Sequence, residues 1–247
     1  MLGPHLFVRR CFCDRGEIVD NDAHNLEIYV KPTAAIDSDS EAIRNVALEL
    51  TPPCSDQKEK ARALFYFVRD RIHYSVYMIS TELEDFVAST ILERKKGYCV
   101  QKAVLLAALA RAVGIPSRLV FAKIRNHKAP RELTAQTGFD FFPSHGYTQL
   151  FLVGKWISLT PAFDRELCEK TAVPVVEFDG IHDAHLPPYD LSGNPYIEYI
   201  EKYEPQADFP YEWVRGKILP IWGEKSAWLN PGDSKGHVMP SGYVFSL

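Results

Sequence analysis

The sequence predicts an α+β fold in which one buried helix packs against an antiparallel sheet. Residues 100–113 contain only two charged side chains, Lys102 and Arg111, so they read as a helix that is apolar nearly all round and therefore buried. After Pro116 the apolar residues recur with the period of strands, and Gly154-Lys155 separates two such runs as a hairpin turn. Helical patterns thus come first along the chain and strand patterns follow, which is the order of an α+β domain.

The segments before the buried helix carry local start signals. Residues 26–31 alternate apolar and polar side chains, which predicts a half-buried strand. Residues 38–41 match a capping box and predict a first helix. Asp56 and Glu59 predict the cap of a second helix, and Asp85 is expected to cap a short third one.

The segments after the buried helix are expected to form the sheet. Residues 119–124 read as a strand that is apolar on both faces, and residues 147–153 and 156–160 as a hairpin with a type II′ turn. Residues 125–144 break the pattern, and a loop of this length inside a compact domain is usually functional or mobile. Residues 173–178 are expected to add a strand.

We divide the chain into three parts. Residues 1–37 are expected to form N-terminal strands, and residues 38–180 the catalytic core. Residues 181–247 are rich in Pro, Gly, Tyr and Asp, so we expect a largely irregular extension that packs on the core through aromatic side chains.

Composition excludes several function classes. The net charge of −4 does not favour nucleic acid or an anionic membrane as a partner, and no stretch has the length and apolarity of a membrane span. No signal peptide is recognisable, and an odd, scattered set of cysteines is typical of reduced thiols, so we expect a cytoplasmic protein. The cysteines are Cys11, Cys13, Cys54, Cys99 and Cys168.

The position of Cys99 suggests thiol chemistry. A thiol in the first turn of a helix lies at the positive end of the dipole, which favours the thiolate. His145 follows the long loop and begins a strand, so it can supply a base, with Thr160 or Asp164 returning on the hairpin to hold the imidazole. The backbone N–H of Cys99 can help to bind an oxyanion. Alternatively, Cys99 is an inert buried thiol, His145 a surface residue, or His127 the base.

Aromatic residues near these positions are candidates for substrate binding. Tyr98 lies beside the thiol, and Phe139, Phe141 and Phe142 stand close before His145. A loop that exposes three Phe side chains would be costly, so they either dock on the core or line a pocket. We assign substrate contacts to Tyr98, Phe141 and Phe142.

Several of these motifs resemble the transglutaminase-like superfamily. Gly97-Tyr98-Cys99 followed by an Ala/Leu-rich helix and residues 113–118 (Val-Gly-Ile-Pro-Ser-Arg) is similar to the family's nucleophile region. His145-Gly146-Tyr147, then Gly154-Lys155-Trp156, is similar to its histidine motif and hairpin. The match covers roughly residues 38–180 and looks like a bacterial-type subgroup.

The resemblance implies a papain-like core and a cysteine enzyme acting by acyl transfer or hydrolysis on a peptide, amide or thioester. It implies Cys99 as nucleophile and His145 as base, without metal or organic cofactor. The resemblance implies water or an amine as the acceptor, and a peptide, amide or thioester substrate or a carrier protein as the partner. One departure from the family pattern is that Thr160 stands where its Asp usually follows the Trp, and Asp164 comes four residues later. This departure favours the rival interpretation, a catalytically inactive binding module; an amide-forming enzyme using carrier-bound thioesters is a third.

Overall fold

The computed structural model describes residues 26–52, 56–129 and 141–223. Its α-helices are α1 (Glu41–Leu50), α2 (Gln57–Arg71), α3 (Ala88–Arg94), α4 (Cys99–Ala112), α5 (Arg165–Thr171) and α6 (Tyr211–Trp222). Its strands are β1 (His73–Tyr74), β2 (Lys96–Gly97), β3 (Ser117–Asn126), β4 (Phe142–Leu152), β5 (Lys155–Leu159) and β6 (Ile197–Lys202). Short 3-10 helices lie at Glu27–Tyr29, Val76–Met78 and Leu83–Phe86.

The main sheet has the strand order β5-β4-β3-β6, and all of its neighbouring strands are antiparallel. Helix α4 packs against β3 and β4, while α1, α2 and α3 pack around α4 on the side away from the sheet. Strands β1 and β2 form a separate parallel pair just before α4. The predicted α+β fold, with a buried cysteine-bearing helix on an antiparallel sheet, is confirmed.

Helix α4 is the centre of the core. Every residue from 100 to 111 is buried, which confirms the prediction made from its apolar composition. Gly114 adopts a φ of 75° after the helix, a conformation that glycine reaches without strain. The Ile115 N–H then donates to the Ala110 carbonyl at 2.9 Å, which closes the helix end.

The capping signals of the first two helices have different outcomes. In α2, the Glu59 N–H donates to the Asp56 side chain at 2.8 Å and the Asp56 N–H to the Glu59 side chain at 3.3 Å, so this capping box is confirmed. In α1, Ser40 precedes the helix but its side chain makes no cap hydrogen bond, so only the helix itself is confirmed. Burial of the apolar face explains why α1 forms without the cap.

Several local expectations are wrong. Residues 26–30 contain a 3-10 turn instead of a strand. Asp85 does not cap α3, which begins after Val87; it lies in the preceding 3-10 helix and its carboxylate binds Arg94. The hairpin turn has positive φ at Val153 and Gly154, 52° and 80°, which is the pattern of type I′ rather than type II′. No strand forms at residues 173–178.

The region after residue 180 contains more regular structure than expected. Strand β6 extends the sheet beside β3, with Tyr199 opposite Ile124, and α6 packs near β4. Short amphipathic segments between prolines and glycines give only a weak sequence signal, so pairing with an existing sheet edge decides their structure. The division into three parts stays a prediction, and residues 6–25 and 224–247 lie outside the described chain.

A buried lysine joins α4 to α2. Lys102 has no exposed surface, and its ammonium donates to the Arg69 carbonyl at 3.0 Å. Burial lowers the pKa of Lys102 to about 7, although Asp164 and Asp70 favour the charged form. The unfolded chain therefore binds a proton here more tightly than the folded protein does.

Replacement of Lys102 by methionine tests this penalty. The folded-state pKa is below the unfolded value, so the cost of charging is largest below pH 7 and fades as pH rises toward 10. We expect Lys102→Met to gain about 2 kcal/mol of stability more at pH 6 than at pH 9, measured by denaturant unfolding. Exposed Lys96→Met is the matched control. A difference between Lys102→Met and wild type that is independent of pH would contradict the assignment.

Candidate active site

Cys99 is the first residue of α4, and the turn before it is fixed by a side chain of the same helix. The Tyr98 N–H donates to Gln101 Oε1 at 3.1 Å, while Gln101 Nε2 donates to the Asp85 carbonyl at 2.8 Å. A Cβ on Gly97 would lie 3.1 Å from the Gln101 Cβ, so glycine makes room for this cap. The sequence Gly-Tyr-Cys-x-Gln therefore sets the position of the thiol.

A second glycine brings strand β4 against the start of α4. His145 pairs with Ala122 of β3, and a Cβ on the next residue, Gly146, would lie only 2.9 Å from the Val100 Cα. Any larger residue would push the strand away from the helix. The close approach lets the Gly146 N–H interact with the Cys99 sulfur.

Cys99 and His145 line the same cavity of about 50 Å³. Most of its walls are apolar or aromatic, and Asn126 contributes an amide side chain. An adjoining cavity of about 80 Å³ shares several of these walls. The principal lining residues of the first cavity are Tyr74, Tyr98, Cys99, Phe142, His145 and Phe163.

The other predicted aromatic and histidine candidates lie elsewhere. Phe141 packs beneath the Lys123 ammonium, 3.8 Å from ring centroid to nitrogen, and is not among the residues lining the cavity. Phe139 is outside the described residues. His127 has its Nε2 3.5 Å from a Glu198 carboxylate oxygen and likewise does not line the cavity. The structure thus brings Tyr98 and Phe142 beside Cys99 and His145.

The thiol and the imidazole are both neutral at neutral pH. Burial raises the pKa of Cys99 to about 11. The backbone N–H groups of Gly146, Val100 and Cys99 itself have the opposite, smaller effect, because they favour the thiolate. The expected shift toward thiolate is therefore wrong for the resting site, because desolvation outweighs the helix N-terminus. Burial also lowers the pKa of His145 to about 3, with a smaller effect from His185.

Asp164 has its carboxylate occupied by backbone donors. One oxygen accepts from the Leu167 N–H at 3.0 Å and caps α5, and the other accepts from the Tyr74 N–H at 2.9 Å. Thr160 directly follows β5, and its hydroxyl is buried without a hydrogen-bond partner among the described residues. Of the two candidates for holding His145, Asp164 thus already accepts hydrogen bonds from backbone groups, whereas the Thr160 hydroxyl has no partner among the described residues.

Sequence reasoning missed two residues that surround His145. The His145 and Tyr199 ring centroids are 5.9 Å apart, and those of His185 and Tyr199 are 5.4 Å apart. Tyr199 belongs to β6, and the only signal for it is a weak alternation in residues 197–202. No local pattern marks His185, because a tertiary contact of an irregular segment places it.

Within residues 26–52, 56–129 and 141–223, no three His, Cys, Asp or Glu side chains form a group suited to holding a metal ion. None of the helices described there combines the length and the apolar character needed to cross a membrane.

Three solved structures are similar to this chain. A proposed cysteine protease from Cytophaga hutchinsonii is 18% identical with a TM-score of 0.46, over 75% of this chain and 48% of that one. A proposed protease from Parabacteroides distasonis is 17% identical with a TM-score of 0.36, over 55% and 25%. A TGase is 16% identical with a TM-score of 0.33, over 57% and 36%. The chain thus spans about half the length of the first and less of the others.

Sequence comparison gives the family. No curated protein is significantly similar in sequence to the chain. The profile of the Transglutaminase-like superfamily matches residues 44–161, a segment that includes Cys99, His145 and Thr160. This segment carries the Cys-bearing helix and the antiparallel strands on which it packs. Residues 44–161 of this chain therefore belong to the transglutaminase-like superfamily.

Proposed function

We propose that the protein is a thiol acyltransferase or hydrolase that acts on an amide or thioester through an acyl-thioenzyme. The observation that supports this most is the shared cavity of Cys99 and His145, in which the thiol also meets the Gly146 N–H. Membership of a cysteine-enzyme family supports the same chemistry.

In the proposed reaction His145 is a base that acts only during attack. The neutral imidazole takes the Cys99 proton as sulfur bonds to the substrate carbonyl carbon, and the carbonyl oxygen becomes an oxyanion. The imidazolium then gives that proton to the leaving amine or thiol. Water or an amine attacks the thioester, His145 takes its proton, and the Cys99 sulfur leaves and is reprotonated. The resting neutrality of both groups fits a base of this kind.

The oxyanion is assigned to Tyr98 and the Cys99 backbone. The Tyr98 hydroxyl is buried without a partner among the described residues, and Tyr98 lines the cavity beside the thiol. A phenol in this position can donate to a negatively charged oxygen as it forms. Burial raises the pKa of Tyr98 well above its usual value, so the phenol keeps its proton.

The surroundings of the thiol suggest the acyl group. Phe142, Phe163 and Tyr74 line both adjoining cavities, so we propose an apolar or aromatic group next to the reacting carbonyl. The acceptor is proposed to be water or an amine, and a carrier protein is proposed as one source of a thioester substrate. A thiol nucleophile must stay reduced, which agrees with the cytoplasmic compartment inferred from the cysteines.

The orienting role is assigned to Thr160 rather than Asp164. Thr160→Val should lower the His145-assisted reaction of Cys99 by about tenfold, because a polar group that helps to stabilise the imidazolium is lost. Asp164→Asn should leave that rate near wild type but lower stability by about 1–2 kcal/mol, because the amide keeps only one acceptor oxygen and one of the Leu167 and Tyr74 N–H groups loses its partner. The measurements are iodoacetamide labelling rates and denaturant unfolding. A rate loss in Asp164→Asn with none in Thr160→Val would assign the role to the carboxylate instead.

An inactive binding module is the second candidate, and Thr160 at the usual Asp position favours it. Reaction with p-nitrophenyl acetate separates the two. The enzyme should release a burst of about one p-nitrophenolate per protein, as acyl-enzyme accumulates. Cys168→Ser should keep this burst and Cys99→Ser should lose it. A wild-type protein without a burst would favour the binding module.

A further inference from the structure

We propose that Tyr199 and His185 are positioning residues for His145 and hold it through a shared buried water, together with Thr160. This arrangement would replace the carboxylate that the family usually places there. The inference rests on the proposed function, because it concerns how His145 is held while it carries the Cys99 proton.

Four buried polar atoms around His145 have no hydrogen-bond partner among the described residues. They are His145 Nε2, Thr160 Oγ1, Tyr199 Oη and His185 Nδ1. The Tyr199 phenol comes near the Thr160 hydroxyl and the Leu186 backbone without forming a regular hydrogen bond. Buried polar atoms are nearly always paired, and a group of them is the usual setting for an internal water.

The backbone explains why these residues meet. The Thr160 N–H donates to the Ala184 carbonyl at 2.9 Å, and the Ala184 N–H donates to the Ser158 carbonyl at 2.8 Å. These bonds fix His185 beside the end of β5. On the other side, β6 adds to β3 and carries Tyr199 to the His145 ring. Two segments from the C-terminal region thus close around the imidazole.

The proposed water lies between the imidazole and neutral acceptors. When His145 accepts the thiol proton, its Nε2–H can donate to the water. The water can in turn donate one hydrogen to the Thr160 hydroxyl and the other to His185 Nδ1. Tyr199 can donate its O–H to the same water. The Nε2 proton remains on His145 throughout, and only the proton shared with Cys99 moves. Oriented dipoles stabilise the imidazolium less than a carboxylate does, which agrees with a base that stays neutral at rest.

The charged and titratable groups around the cluster are few. The His185 Nε2 lies 3.9 Å from an Asp183 carboxylate oxygen. Burial, with a smaller effect from Lys202, lowers the pKa of His185. Tyr147 packs edge-on against His185, with ring centroids 5.2 Å apart. On the other side, His145 lines the cavity that it shares with Cys99. His185 is thus a neutral acceptor near neutral pH rather than a second cation.

The test is the pH profile of Cys99 alkylation by iodoacetamide. The profile should have a pH-independent component from proton transfer to His145 and a second component that rises as hydroxide removes the thiol proton. Tyr199→Phe keeps the ring and removes only the hydroxyl, and His185→Phe replaces the imidazole with an aromatic ring that has no polar atom. We expect the first component to fall about tenfold in Tyr199→Phe and several-fold in His185→Phe, with the second unchanged. A tenfold change equals one pKa unit.

Matched controls separate the possible failures. Tyr203→Phe removes the hydroxyl of a half-buried tyrosine just after β6, which donates to Glu201, and should match wild type. If both cluster variants keep the wild-type first component, the positioning role is overturned. If the wild type lacks that component, or His145→Ala retains it, the proposed function fails instead. If a cluster variant does not fold, selective ¹⁵N-histidine NMR of the wild type provides the test instead. A single His145 tautomer would support the proposed water, and a mixture of tautomers would contradict it.

Discussion

His145→Ala is expected to lower the alkylation rate of Cys99 at pH 7 by on the order of 10²-fold or more, as loss of a general base does. The pKa of the thiol is raised to about 11, so almost no thiolate exists at neutral pH without a base. Without His145, the rate should fall about tenfold for each pH unit below the thiol pKa. The wild-type rate should instead level off below about pH 8, because transfer to the imidazole does not depend on pH.

The measurement is iodoacetamide labelling from pH 5 to pH 10, with quantitation of the Cys99 peptide. His127→Ala serves as the control, since His127 pairs with Glu198 and does not line the cavity. Cys168 gives an internal comparison because it is a buried thiol whose pKa is also raised to about 11. Equal profiles for wild type and His145→Ala would show that His145 does not act on the thiol.

Tyr98→Phe is expected to lower acyl transfer from p-nitrophenyl acetate by about 10²-fold, the typical cost of losing one oxyanion donor. The variant should leave iodoacetamide alkylation nearly unchanged, because displacement of iodide forms no oxyanion. The structural reason is the buried, unpartnered phenol beside Cys99. The contrast between the two reagents therefore isolates the oxyanion from thiol activation.

The comparison requires both rates on the same protein samples. Tyr189→Phe is the matched control, because this tyrosine is 60% exposed and lies outside the cavity. A proportional loss with both reagents would mean that Tyr98 only supports the start of α4. Unchanged acyl transfer would remove the phenol from the oxyanion site.

The sequence was informative wherever local chemistry decides structure. Helix α4 could be predicted because its composition leaves no polar face, and its Gly114 end follows from a conformation that glycine favours. Cys99 and His145 could be paired because one begins the helix and the other lies in the strand packed against it. Only the structure explains why residue 146 is a glycine, because Val100 approaches it too closely for a larger side chain.

Other features depend on tertiary contacts and could not be read locally. Tyr199 and His185 meet His145 only because β6 joins the sheet and residue 184 bonds to the end of β5. Asp164 resembled a triad carboxylate in sequence, but the Tyr74 and Leu167 N–H groups use both of its oxygens. The direction of the thiol pKa also needed the structure, because burial and helix position oppose each other.

The most direct test of the central claim is to locate the acyl group after brief reaction with p-nitrophenyl acetate. Acid quenching, trypsin digestion and mass spectrometry would find it on residues 97–102, the peptide Gly-Tyr-Cys-Val-Gln-Lys, or on another peptide such as residues 166–170, which contain Cys168. The account predicts an acetyl group on Cys99 in the wild type and far less in His145→Ala at pH 7. Acetylation elsewhere, or acetylation of Cys99 that is indifferent to His145, would contradict it.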